Sequence, residues 1–176
     1  MNEKSYKEHL EHITTLIFDV DGVLTDGTVT VMTNGDMLRR MNIKDGYALK
    51  TAVDAGFNIC IISGGSNLGV QKRLEGLGIK NIYLGAHQKV NQFKEYLSSR
   101  HIDAKNVMYM GDDIPDIPVM KLVRLAVCPQ DAAIEVKAVS HYISHQPGGK
   151  GAARDIIEQI MKVQGKWDGN FDAKYD

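Results

Sequence analysis

Leu16-Ile17-Phe18-Asp19-Val20-Asp21-Gly22 is an apolar run that ends in two carboxylates two residues apart. A short run without polar alternation reads as a strand buried on both faces, the kind found in parallel sheets. Carboxylates at the exit of such a strand are costly unless a cation or hydrogen bonds satisfy them. Complementary groups follow in chain order. Ser63 comes after Asn58-Ile59-Cys60-Ile61-Ile62, Lys89 lies early in a helical segment, and Gly111-Asp112-Asp113-Ile114-Pro115-Asp116 comes after Val107-Met108-Tyr109-Met110. Acid, hydroxyl, cation and acid cluster all fall at or near strand ends. That layout suits magnesium-dependent phosphoryl transfer.

Working outward, short apolar runs alternate with amphipathic segments, which predicts a doubly wound, Rossmann-like, mainly parallel α/β sheet with helices on both faces. Strands are expected at 15–19, 58–62, 80–84, 106–110 and 125–128, with a weaker one at 140–143. Helices are expected at 45–56, 66–77, 88–100, 114–123 and 150–163, with Gly56 and Gly78 as C-terminal caps. Thr33-Asn34-Gly35-Asp36 lies between two apolar runs, and Asn-Gly there signals a β-hairpin over 28–41 that projects beside the first strand's end. The 176 residues suit a single domain, with a core over about 13–165 and a polar tail at 166–176 that carries Trp167, Phe171 and Tyr175.

A net charge of −1 gives no reason to expect nucleic acid or an anionic membrane as partner. The chain has no apolar run of membrane-spanning length and no signal-peptide pattern. Cys60 and Cys128 lack metal-site spacing and read as buried free thiols. A cytoplasmic location is expected.

The chemistry assigns Asp19 as nucleophile, since a carboxylate attacking phosphorus divides hydrolysis into two displacements. Asp21 is placed as the acid that protonates the leaving oxygen and then the base that activates water. Asp112 is expected to share a Mg²⁺ with Asp19, and Asp21 is counted with them as a metal residue. Asp113 and Asp116 are left open between orienting the loop and completing the metal's inner sphere. Ser63, the backbone around Gly64, and Lys89 hold the phosphoryl oxygens and offset their charge.

These four motifs resemble those of the haloacid dehalogenase superfamily of phosphatases. Asn42-Ile43-Lys44-Asp45-Gly46-Tyr47 and Gly148-Gly149-Lys150-Gly151-Ala152-Ala153-Arg154 are similar to segments of its capless branch, the 3-deoxy-D-manno-octulosonate 8-phosphate (KDO-8-phosphate) phosphatases. The spacing agrees: Ser63 follows Asp19 by 44 positions and Lys89 follows Ser63 by 26, which leaves no room for a cap domain.

The resemblance implies a phosphoric monoester hydrolase in lipopolysaccharide precursor synthesis. Its substrate is a small sugar phosphate, with nonulosonate 9-phosphates as the alternative to octulosonate 8-phosphate. It further implies substrate contacts at Asp21, Asn42, Ile43, Lys44, Asp45, Gly46, Lys50, Gly64, Arg73 and Lys89, and a homotetramer whose subunits cover each other's sites. Gly65 departs from the branch, where many members have Arg. Two readings from other classes stand beside this one, a phospho-accepting receiver domain and a catalytically inactive assembly domain. A receiver places its phosphorylated Asp after a later strand, which disfavours it here.

Overall fold

A computed structural model describes residues 5–167. Its main sheet has six parallel strands: β1 (Thr15–Phe18), β4 (Asn58–Ile62), β5 (Asn81–Tyr83), β6 (Val107–Met110), β7 (Leu125–Cys128) and β8 (Tyr142–Ile143), in the order β5-β4-β1-β6-β7-β8. β2 (Thr30–Val31) and β3 (Met37–Leu38) form the antiparallel hairpin. The helices are α1 (Lys7–Leu10), α2 (Ile43–Asp54), α3 (Leu68–Gly76), α4 (Lys89–Arg100), α5 (Ile117–Met120), α6 (Ile134–Val139) and α7 (Ala152–Val163).

The sheet divides the apolar residues by strand alternation. Leu16, Phe18, Ile59, Ile61, Met108, Met110, Leu125 and Val127 face one core with α2, α3 and α7. Ile17, Cys60, Ile62, Tyr109, Ala126 and Cys128 face a second core with α4, α5 and α6. With both faces covered, strand residues are apolar at every position, so the sequence shows runs where a half-exposed strand would show alternation.

The expected strands and long helices form, within about two residues of their expected ends. Gly56 and Gly78 take positive φ of 85° and 84° just past α2 and α3. Two differences have local causes. The segment expected as one helix over 114–123 is a 3₁₀ turn (Ile114–Asp116) running into the four-residue α5, because Pro115 and Pro118 remove backbone donors. The short helices α1 and α6 are not expected from the sequence, because four and six residues carry too little periodicity to register. Phe171 and Tyr175 lie outside the described residues. Trp167 packs edge-on to Tyr47 (centroids 6.2 Å apart) and lies beneath the Arg154 guanidinium, so the start of the tail docks on α2 and α7 of its own chain.

Candidate active site

β1 sits at the point where the chain turns from building one side of the sheet to the other, with β4 and β6 as neighbours. Loops diverge at the carboxyl ends of such strands and leave a crevice. There Asp19 donates its backbone N–H to Met110 O (3.0 Å), which ties the end of β1 to that of β6. The following loop winds on itself. Val23, Leu24 and Thr25 N–H groups all donate to Val20 O, and buried Thr25 Oγ1 accepts from Gly22 and Gly27. Gly22 has φ +86°, and a Cβ there would lie 2.0 Å from Asp112 Oδ2, so only glycine lets the two loops approach this closely.

The crevice is a cavity of about 390 Å³ lined by Asp19, Asp21, Ser63, Gly64, Lys89 and Asp112, among others. Lys89, at the start of α4 and 6 % exposed, donates to Asp19 Oδ2 (2.8 Å) and to Asp116 Oδ1 (2.7 Å). Asp19 Oδ1 accepts the Val20 N–H at 2.7 Å. Burial first, then the charge of Asp116, pushes the Asp19 carboxyl up to about 6 against the pull of Lys89. Burial first, then the charges of Asp19 and Asp116, pushes Asp112 up to about 8. Such shifts mark carboxylates packed more densely than the local positive charge can offset.

Asp19, Asp112 and Asp116 bring carboxylate oxygens within 4.8 Å of one another. Asp116 has no capacity to spare. Its Oδ1 accepts from Lys89 and from Tyr109 (2.6 Å), and its Oδ2 from the Asp112 and Asp113 amides. It therefore orients the loop and Lys89. Asp112 is the opposite case, because its Oδ1 is buried and has no hydrogen-bond partner among the described residues. An unpartnered buried carboxylate oxygen facing a second carboxylate fits a hard divalent cation, and two carboxylates with water complete a Mg²⁺ shell.

The structure brings Asp19, Asp21, Ser63, Gly64, Lys89 and Asp112 together as expected from the sequence. The Asp21 side chain, however, stands apart from the metal-competent carboxylates, because Arg39 holds both its oxygens at 2.9 and 3.0 Å. Asn42, Ile43, Lys44, Asp45, Gly46, Lys50 and Arg73 do not line the cavity of their own chain. Asn42 caps α2 and donates to Gly149 O. Asp45 is buried and accepts the Gly151 and Arg154 N–H groups at the start of α7. Gly46 gives room to the Arg73 guanidinium, Ile43 is exposed, and Lys50 pairs with Asp54. Two further residues reach the site without being read from the sequence: His87, which lines the cavity two residues before Lys89, and Arg39, which reaches it through Asp21 and to which no pattern in the chain points.

A parallel sheet with a strand-end Asp, a lysine beside it and a second loop carboxylate defines a haloacid dehalogenase-like hydrolase, and residues 81–156 match the family of that description. The KDO-8-phosphate phosphatase KdsC of Salmonella typhi is 38 % identical over 158 residues, 90 % of this chain and 84 % of the relative. The chain belongs to the family of 3-deoxy-D-manno-octulosonate 8-phosphate phosphatases. The crystal structure of the Yersinia pestis phosphatase superposes with a TM-score of 0.91 at 32 % identity, over 94 % of this chain and 90 % of that one. The Moraxella catarrhalis phosphatase, solved with magnesium, phosphate and KDO, gives 0.90 at 29 % identity, over 94 % and 95 %. The receiver and assembly-domain alternatives are thereby set aside.

Proposed function

We propose that this chain hydrolyses 3-deoxy-D-manno-octulosonate 8-phosphate to KDO and phosphate with Mg²⁺, as a step in lipopolysaccharide precursor synthesis. The observation that carries it is the Asp19, Lys89 and Asp112 constellation, in a chain that aligns with KdsC over nine-tenths of its length.

Asp19 attacks phosphorus. An Asp19 O–P bond forms, the bond from phosphorus to the sugar O8 breaks, and O8 leaves with the electron pair and a proton from Asp21. Water then attacks the aspartyl-phosphate, Asp21 takes its proton, and the Asp19 O–P bond breaks. Lys89, Ser63 and the Gly64 backbone balance charge on the phosphoryl oxygens. Asp19 and Asp112 would hold the Mg²⁺, whose positive charge would offset the two carboxylates and the phosphate.

The site residues read from 42–46, with Lys50 and Arg73, lie outside their own cavity, so a substrate role for them requires a neighbour's cavity. A homotetramer closed through the projecting hairpin supplies that arrangement. The two buried, free cysteines accord with a cytoplasmic location. The test is a comparison of kcat/KM for octulosonate 8-phosphate and nonulosonate 9-phosphates with Mg²⁺ present. Preference for the 9-phosphates would move the assignment to that branch, and absence of phosphate release from all of them would end it.

A further inference from the structure

Arg39 lies just past β3, on a hairpin whose apolar side chains face outward, yet its own side chain is 8 % exposed. It folds back 18 positions to Asp21. Nε donates to Oδ1 at 2.9 Å and Nη2 to Oδ2 at 3.0 Å, a two-point fork. Nη1 donates to Met37 O, which also accepts from Asn67 Nδ2, the cap of α3. The hairpin is thus tied both to the loop after Ser63 and to Asp21. Gly65 borders this pair: a Cβ there would lie 3.0 Å from Asp21 Oδ2 and 3.3 Å from Arg39 Nη2. A long side chain at position 65 would compete with the guanidinium for its place.

We propose that Arg39 is a positioning residue for the reaction, through which the hairpin fixes the Asp21 carboxylate that serves the leaving group. The proposal rests on the acid role of Asp21 given above. A fork fixes both the plane and the direction of a carboxylate, and each oxygen keeps a further lone pair for a proton. Asp21 lines the cavity while so held. Misplacing a proton donor by about 1 Å costs roughly 100-fold in rate, so a fixed carboxylate is worth much to the chemical step. Among the described residues, Arg39 also offsets one of five carboxylates that line the cavity, where Lys89 is the one lysine or arginine in the lining.

The experiment compares R39A, R39K, D21N and the D21N/R39A double variant, as full chains with Mg²⁺ and with retained fold checked by circular dichroism. Each is assayed with octulosonate 8-phosphate, whose alkoxide needs a proton, and with 4-nitrophenyl phosphate, whose leaving group does not. D21N is expected to lose ~10²–10⁴-fold on the sugar phosphate and far less on the aryl ester. R39A should show the same selectivity with a smaller loss, ~10–100-fold on the sugar phosphate, mainly in kcat. R39K should recover part of it, since an ammonium contacts the carboxylate at one point. The double variant should fall within ~3-fold of D21N, as members of one unit are not additive. If R39A does not fold, the same selectivity in R39K carries the test.

Equal losses on both substrates in the Arg39 variants, or a loss that multiplies that of D21N, overturns the Arg39 proposal. Equal losses on both substrates in D21N itself overturn the acid role of Asp21, and the proposal with it.

Discussion

Tyr109 donates its hydroxyl hydrogen to Asp116 Oδ1 at 2.6 Å, and neither side chain is exposed to solvent. Burial, then the neighbouring carboxylates, holds the phenol well above its ordinary range, so it stays a donor. Through Asp116 this bond sets Lys89, which in turn contacts Asp19. Tyr109→Phe should therefore cost about 1.5–3 kcal/mol in urea unfolding, the range for a hydrogen bond to a charged group. Asp116→Ala should cost more than Tyr109→Phe, because it leaves the buried Tyr109 hydroxyl and the Asp112 and Asp113 amides without their acceptor, while Lys89 keeps only Asp19. A Tyr109→Phe protein as stable as the parent would show the bond to be incidental.

Asp19→Asn should abolish turnover while the fold persists. The amide cannot act as an anionic nucleophile, and the carboxylate it replaces is one that burial disfavours. Lys89 keeps Asp116 as its partner in the variant. Rapid quenching during turnover should trap phosphate on the parent and none on the variant. Near-normal activity in Asp19→Asn would remove the covalent mechanism from consideration.

Protons and Mg²⁺ compete for Asp19 and Asp112. Both carboxyls bind protons more tightly in the folded chain than at the ordinary value of 3.8, reaching about 6 and about 8. In the metal-free protein their contribution is therefore fully present below the ordinary value, and it is lost as pH rises through about 6 and then about 8. A bound cation reverses the sign by favouring the ionised pair. The rise in Tm on adding Mg²⁺ should accordingly be larger above pH 8 than below pH 6, and Asp112→Asn should shrink the difference. A Mg²⁺ effect equal at both ends would place the metal elsewhere.

The strand-end acids were legible because strands covered on both faces leave unbroken apolar runs, and polar residues after such runs stand out. Asp19, Ser63 and Asp112 could each be placed from the strand before them. What escaped was the direction of loop side chains. Asp21 follows Asp19 by two residues, but its carboxylate goes to Arg39, 18 positions on, and no periodicity links a hairpin residue to that loop. Asp45 looks like one more acid in a polar segment, whereas it accepts amides of α7 more than 100 positions away. Asp116 is indistinguishable by sequence from Asp112 and Asp113; only four converging donors separate a loop organiser from a free carboxylate.

The hairpin carries the remaining expectation. A two-stranded ribbon is marginal in water by itself, and here Val31 is 68 % exposed, Leu38 53 %, Met37 47 % and Met32 44 %. A subunit interface of the kind proposed would cover these apolar side chains, and methionines adapt their packing to a partner. The hairpin also anchors Arg39 against Asp21, so what holds the hairpin bears on the site. Val31→Asp combined with Leu38→Asp leaves Arg39 and Asn67 in place while making the ribbon repel its neighbour. Light scattering should then report species smaller than the tetramer expected of the parent, and KM for the sugar phosphate should rise more than KM for an aryl phosphate, whose small leaving group needs no covered site. A parent protein that is monomeric and fully active at assay concentration would sink closure by assembly.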